Sequence, residues 1–261
     1  MKWIDRFQYA FNYLIYFFTA GTAHAVHSPF VYHLVKEVIR VRRQKPFYHP
    51  IELIRTKMLK SKAMIQLQGL GAAARTGQKP LSEIVSDSSK SSKYAELLER
   101  LCAYFQPEYA IEIGSAAGIS TMYQALAMPN AQFHSLEGNS GLVKVMKHNF
   151  DQLALNNILI HEGVFQTTLP AVLAEMPRVD YVFFDGDHSL TSTIQYFEWC
   201  LQKAHSGSIF VIDDIRWSDD MLLAWQKIKQ HPAVTVSIDL YAMGIVFFRT
   251  EQEREHFTIR Y

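Results

Sequence analysis

From residue 109 to about 230 the chain alternates short apolar runs with helical stretches, and this alternation limits the fold more than any other feature. Runs near 109–114, 132–137, 157–162, 179–185 and 208–213 read as buried strands. Helices are predicted at about 119–128, 140–155, 167–175, 190–204 and 218–230. Strands separated by helices pair in parallel, with helices on both faces of the sheet. The end of the chain departs from this pattern. The runs 234–240 and 244–249 are too close together for a parallel crossover, so they are expected to pair antiparallel. The expected fold is α/β: a doubly wound, seven-stranded, mostly parallel sheet closed by a C-terminal antiparallel pair. A helical N-terminal extension (1–105) precedes this Rossmann-like domain (106–261).

No strand alternation is visible in residues 1–105. Trp3, Phe7, Phe11, Leu14 and Phe18 recur at helical spacing and form one apolar stripe. Lys2 and Arg6 before an apolar run, with Ala23-His24-Ala25 after it, also fit a secretory signal. Asp5, Gln8 and Asn12 interrupt that run, and it falls short of the roughly 20 apolar residues of a membrane span. An amphipathic helix packed on the domain or on a second subunit is the preferred reading, with no stable membrane insertion. Ser28 before Pro29 marks a second helix running to about Arg43, and a third is expected at about 50–62. The stretch 69–77 reads as a glycine-rich loop, and a polar run follows at 86–92. An amphipathic helix then starts at Tyr94.

Of the 261 residues, 49% are hydrophobic, enough for a sizeable core, and the formal net charge of +1 points to no nucleic-acid or anionic-membrane partner. Two cysteines, Cys102 and Cys200, make neither a disulfide framework nor a metal motif, which favours a reducing, cytoplasmic setting.

The chemistry gathers at the ends of the predicted strands. Glu112 lies two residues before Gly114, and Gly114 and Gly118 are spaced G-x-x-x-G. A dinucleotide site has the tighter G-x-G-x-x-G, which rests a pyrophosphate on a helix N-terminus. The wider turn suits a cofactor without a phosphate. Glu112 can then organise the loop or meet an amino group, while the glycines let the backbone approach the ligand. Glu137 closes the next strand, where a carboxylate can accept from both hydroxyls of a ribose. Asp185-Gly186-Asp187-His188 and Asp213-Asp214 end two later strands. Four carboxylates and a histidine at one sheet end call for a cation, a cationic ligand or protons. An oxygen-loving divalent ion, Mg or Ca, is one answer. Asp187 or Ser189 is expected to cap the following helix, and Ser218 the 218–230 helix. His188 has the residue type of a general base at neutral pH.

Taken in order, Glu112-Ile113-Gly114-Ser115, Gly118-Ile119-Ser120-Thr121, Leu136-Glu137-Gly138, Asp185-Gly186-Asp187-His188 and Asp213-Asp214 resemble the class I S-adenosylmethionine-dependent methyltransferases. They are most similar to the catechol and caffeoyl-CoA O-methyltransferase-like branch. A bacterial group of unassigned substrate shares Val26-His27-Ser28-Pro29-Phe30 and the stretch 243–248. The resemblance implies that Glu112, Gly114, Ser115, Gly118 and Ser120 bind the methionine end of S-adenosylmethionine. It implies that Glu137 and Gly138 bind the ribose, and that Asp185 lies near the sulfonium. It also implies that Asp185, Asp213 and Asp214 hold a metal and that His188 and Asp185 are catalytic. The chain departs from that branch at Asp214, usually asparagine, and at His188, where the catechol enzymes have lysine.

The expected activity is S-adenosylmethionine-dependent O-methylation of a small-molecule hydroxyl. An NAD-dependent oxidoreductase is disfavoured by the glycine spacing. A non-catalytic cofactor-binding protein of the same fold is the second alternative. An amino-methylating nucleic-acid enzyme is disfavoured because Asp185-Gly186-Asp187-His188 is not the Asn/Asp-Pro-Pro-Tyr stretch such an enzyme has after the fourth strand. The N-terminal helices are expected to cover the site or to form a homodimer.

Overall fold

A computed structural model of the chain describes residues 3–22, 26–41, 45–67 and 77–261, with side chains from residue 10 onward. The side chains of Trp3 and Phe7, the stretch Ala23-His24-Ala25, the basic Arg42-Arg43 and most of the expected glycine loop (68–76) lie outside the described residues. In chain order the elements are α1 (Trp3–Thr19), α2 (Pro29–Leu34, continued by a π turn, Val35–Ile39), α3 (Tyr48–Leu59), β1 (Met64–Leu67), β2 (Gly77–Pro80), α4 (Leu81–Ser88) and α5 (Ser92–Phe105). There follow β3 (Tyr109–Ile113), α6 (Ile119–Ala127), β4 (Gln132–Glu137), α7 (Ser140–Gln152), β5 (Ile158–Glu162), α8 (Phe165–Glu175) and β6 (Val179–Phe184). The chain ends with α9 (Leu190–Leu201), β7 (Ala204–Asp213), α10 (Asp219–Gln230), β8 (Val236–Asp239), β9 (Met243–Phe247) and β10 (Glu255–Thr258). The strands and helices expected from 109 onward are all present, within a few residues of their expected bounds.

The chain divides into two compact units, 42–179 and 1–41 with 180–261. In the 42–179 unit β3, β4 and β5 pair in parallel, with Glu112 beside Ser135 and Glu137 beside Glu162. The core between helices is built from Ile51, Ile65, Val85, Met122, Tyr123, Met146 and Phe150. The stretch read as strand-free contains the antiparallel pair β1 and β2. Each has only four residues, two of them exposed, and β2 contains glycine and proline, so neither is long or apolar enough to read as a strand. The polar run at 86–92 ends α4 and starts α5. Leu81, Ile84 and Val85 of α4 are buried, the i, i+3, i+4 face that its polar C-terminal half hides from a sequence reading. His134 on β4 and His161 on β5 stack with ring centroids 5.0 Å apart, their Nδ1 and Nε2 separated by 2.9 Å. Burial, reinforced by His161, pushes the pKa of His134 down to about 4.

In the other unit β9 pairs antiparallel with both β7 and β8, as the short connection required. Eight strands, not seven, join the main ladders among the described residues, because β10 adds in parallel to β8. With four residues, two of them exposed, β10 carries no strand signal of its own. Ser28 caps α2, its hydroxyl accepting from the Val31 N–H, with Pro29 at the first helical position. The helix after it gives way to a π turn and stops at Arg40, short of Arg43. Ser189 and Ser218 cap α9 and α10. Cys102 and Cys200 are buried, unbridged thiols. No helix among the described residues is long and apolar enough to cross a membrane.

Candidate functional site

In the 42–179 unit, the turn from β3 into α6 and the end of β4 meet through one carboxylate. Glu137 is 8% exposed. One of its oxygens accepts from the Ala116 N–H and the other from the Asn139 N–H, both at 2.8 Å. Burial raises its pKa above the ordinary carboxylate range, while the N–H groups of Asn139, Ala116 and Gly138 pull it back. Each oxygen keeps lone-pair capacity for a further donor. The turn itself is bent by three positive φ values, at Gly114 (90°), Ala116 (47°) and Gly118 (80°).

The remaining predicted residues of this turn divide by what they touch. Glu112 is fully buried. It accepts from the Thr121 hydroxyl and, at 3.0 Å, from the Gln124 amide, both on α6. Of the two roles open to it, the geometry therefore favours organising the turn and helix start. Ser115 Oγ lies 2.6 Å from Ser135 Oγ, so its side chain joins β3 to β4. Ser120 is buried in the first turn of α6, and Gly138 is half-buried after β4. Gly118 is needed for packing as well as for its φ. A Cβ there would stand 2.8 Å from the Phe150 ring and 3.2 Å from Met146 Cγ. Close approach to a ligand is thus not its sole requirement, because α7 lies directly against it.

Asn139, not singled out from the sequence, locks the β4–α7 connection. Its Oδ1 accepts from the Leu142 N–H, capping α7, and its Nδ2 donates to the Gln66 carbonyl of β1. An asparagine just before an apolar-periodic helix is a cap signal that a stricter reading would have found. Its tie to Gln66, 73 positions away, has no local signature.

In the other unit the ends of β6 and β7 bring together Asp185, His188 and Asp214. His188 Nε2 lies 3.6 Å from Asp185 Oδ1 and 3.9 Å from Asp214 Oδ2. One ligand atom from each of the three falls within 4.8 Å of the others. Donors about 2.0–2.2 Å from a shared ion lie up to about 4.4 Å apart, so two carboxylates and an imidazole at this spacing suit a divalent cation after little adjustment. Asp187, His188 and Asp214 have φ of 67°, 37° and 52°, so both loops turn sharply where the cluster forms. Asp213 is 2% exposed and lies outside this cluster. Asp187 accepts from the Tyr196 hydroxyl at 3.4 Å, and Ser189, not Asp187, caps α9.

A second buried acid, overlooked in the sequence, holds the loop after Asp214. Asp239 accepts two bonds from Arg216 at 2.7 and 2.6 Å, one from Trp225 Nε1 at 3.2 Å and one from the Tyr241 N–H at 2.9 Å. Arg216 also donates to the Tyr241 carbonyl, and the Ile215 N–H to the Ala242 carbonyl.

Comparison with known proteins agrees with this geometry. Residues 111–215 match the family model described as a methyltransferase domain. Over 134 residues the chain is 30% identical to a catechol O-methyltransferase of Niastella koreensis, covering 50% of this chain and 58% of that protein. Over 121 residues it is 24% identical to a ribosomal RNA small subunit methyltransferase G of Campylobacter hominis, covering 42% of this chain and 62% of that protein. The chain thus spans about three-fifths of the length of these curated relatives. An O-methyltransferase of Bacillus cereus, solved in complex with SAH, superposes with a TM-score of 0.56 at 16% identity, covering 80% of this chain and 93% of that one. The matched region contains both the Glu112–Gly118 turn and the Asp185-to-Asp214 cluster. Residues 111–215 are thus similar to the methyltransferase domain family, and the fold is that of solved O-methyltransferases.

Proposed function

We propose that the chain transfers the methyl group of S-adenosylmethionine to a hydroxyl of a small-molecule acceptor. The observation that carries this reading is the Glu137 carboxylate, buried at the end of β4 and oriented by two backbone N–H groups. Such a carboxylate is held ready for two ribose hydroxyls, with no side-chain ordering left to be lost on binding. In this reading Gly114, Ser115, Gly118 and Ser120 shape the turn around the methionine end, Gly138 borders the ribose, and Glu112 fixes the turn from beneath. Asp185, the first residue of the 185–188 loop, faces the sulfonium in this reading.

Methyl transfer needs an acceptor oxygen freed of its proton and aligned with the sulfonium carbon, so the enzyme's work is positioning and deprotonation. His188 is proposed as the base, with Asp185 and Asp214 steadying the imidazolium that forms. In the alternative arrangement a divalent ion held by Asp185, Asp214 and His188 would lower the acceptor's pKa when bound, and His188 would then not be the base. An imidazole in the shell moves the preference from Mg or Ca toward Zn or Fe. Residues 1–105 are proposed to cover the acceptor or to join two subunits.

Glu137→Ala is expected to weaken S-adenosylhomocysteine binding at least tenfold by calorimetry while NAD binds neither form. Unchanged affinity would remove the ribose assignment. On a panel of phenols, activity that survives chelation but vanishes in His188→Ala selects the base over the metal.

A further inference from the structure

We infer that the groove between α3, β1 and α7 is a binding site for a small amphipathic anion, an aliphatic body carrying a phosphate or carboxylate head. The groove has a volume of about 710 Å³, within the range of small-molecule sites. Its floor is aliphatic: Ile54 and Met58 of α3, Ile65 of β1 and Leu81 at the start of α4 are all buried. Lys57 of α3 and Lys144 and His148 of α7 stand in its walls, and all three are exposed. Among the described residues no carboxylate and no aromatic ring lines it. None of the lining residues is among those assigned above to the cofactor, the base or the metal.

The charge of this face stands apart from that of the chain. Residues 56–66 and 140–152 contain Lys57, Lys60, Lys62, Lys144 and Lys147, with Asp151 the one acid. Five cations against one acid is a local balance of +4, in a chain whose formal net charge is +1. None of the five lysines takes part in an ion pair among the described residues. The helix dipole accounts for Lys57 in the last turn of α3, but not for Lys144 in the N-terminal half of α7. Cations around a low-dielectric cleft raise the local concentration of an anion.

The walls are tied to one another, so little ordering is left to be lost when a ligand binds. Asn139 Nδ2 donates to the Gln66 carbonyl at 2.9 Å and its Oδ1 caps α7, which fixes β1 to that helix. A Cβ at Gly141 would stand 2.9 Å from Ile65 Cγ2, so β1 and α7 already touch at this end. Asn149 Nδ2 donates to Met58 Sδ at 3.3 Å, joining α7 to α3. The Tyr123 hydroxyl donates to Glu52 at 2.8 Å and holds α3 on α6. The occupant follows from the side chains. Met58 and Met64 give the aliphatic lining the adaptability to take a flexible chain. Lysines hold a phosphate or carboxylate as point charges. A single-stranded nucleic acid would need aromatic side chains on which its bases stack, and the described lining has none.

The test is calorimetry with octyl phosphate, octanoate and 1-octanol at low salt, with backbone amide shifts followed by NMR. The wild-type chain is expected to bind at least one of the two anions about fivefold more tightly than 1-octanol, a preference lost at high salt. Shifts are expected at 57–66 and 140–149. Lys57→Gln/Lys144→Gln is expected to bind the anion about fivefold more weakly, with S-adenosylhomocysteine affinity unchanged, and Lys57→Arg/Lys144→Arg to bind it as the wild type does. Lys227→Gln/Lys229→Gln on α10 should leave anion binding unchanged. The tighter of the two anions identifies the head as phosphate or carboxylate. Equal affinity for 1-octanol, wild-type affinity in Lys57→Gln/Lys144→Gln, or displacement of the anion by S-adenosylhomocysteine overturns the inference. A chain that binds a single-stranded RNA oligonucleotide but neither octyl anion replaces it with a polyanion surface. Cofactor binding is read separately, so failure of the proposed function is distinguishable from failure of this site.

Discussion

Gly118→Ala separates two reasons for a glycine at the entrance to α6. At φ 80° an alanine is in the left-handed region, which costs an L-residue about 1–2 kcal/mol. Its Cβ would also stand 2.8 Å from the Phe150 ring, an overpacking that costs about 1–3 kcal/mol. The total is about 2–5 kcal/mol, which lowers the Tm of a chain of this size by about 4–20 °C. The assay is thermal unfolding by circular dichroism, with and without S-adenosylhomocysteine, on the wild type, Gly118→Ala, Phe150→Leu and the double variant. The ring of Phe150 is the main obstacle, so the double-mutant cycle should show a favourable coupling of about 1–3 kcal/mol. The φ cost remains in both alanine variants. A Gly118→Ala protein with the wild-type Tm and no affinity for the cofactor would refute this reasoning. It would mean that the glycine serves ligand approach and that the helix contact yields easily.

Two further outcomes follow from buried polar groups. His134 is neutral in the fold because its pKa is pushed down to about 4 from the ordinary 6.5, so unfolding takes up a proton between these values. Stability is full above about pH 6.5 and falls by about 3 kcal/mol as the pH drops toward 4; chemical denaturation across that window should lose this slope in His134→Asn. Asp239→Ala leaves the Arg216 guanidinium, Trp225 Nε1 and the Tyr241 N–H without their shared acceptor, an expected loss of about 3–5 kcal/mol in urea unfolding, with Asp239→Asn losing less.

The site was legible in proportion to how local its signals are. Glu112, Gly114, Gly118 and Glu137 were singled out because a strand end, a glycine turn and a helix start follow one another in the chain. Asp185, His188 and Asp214 were singled out because they lie within a few residues of strand ends. Which of the later acids share one point could not be read the same way. Asp213 and Asp214 are neighbours in sequence, yet successive residues point in different directions, and only Asp214 joins Asp185 and His188. Asn139 and Asp239 were missed because the partners that matter, Gln66 and Arg216, are distant in sequence.

The amino-acid sequence alone determined the order of strands and helices from 109 onward, the antiparallel reversal at the C-terminus and the caps at Ser28, Ser189 and Ser218. Periodicity, capping and loop length act over a few residues, so they are written locally. Tertiary structure decided the pairing of β1 with β2, the addition of β10 to β8, the anchoring of Glu112 on α6 and the Phe150 ring against Gly118. It also left Phe11, Leu14, Ile15 and Phe18 in solvent, although their spacing is that of a buried face. Apolar periodicity says which side of a helix avoids water, but only the completed packing says whether this chain supplies the cover.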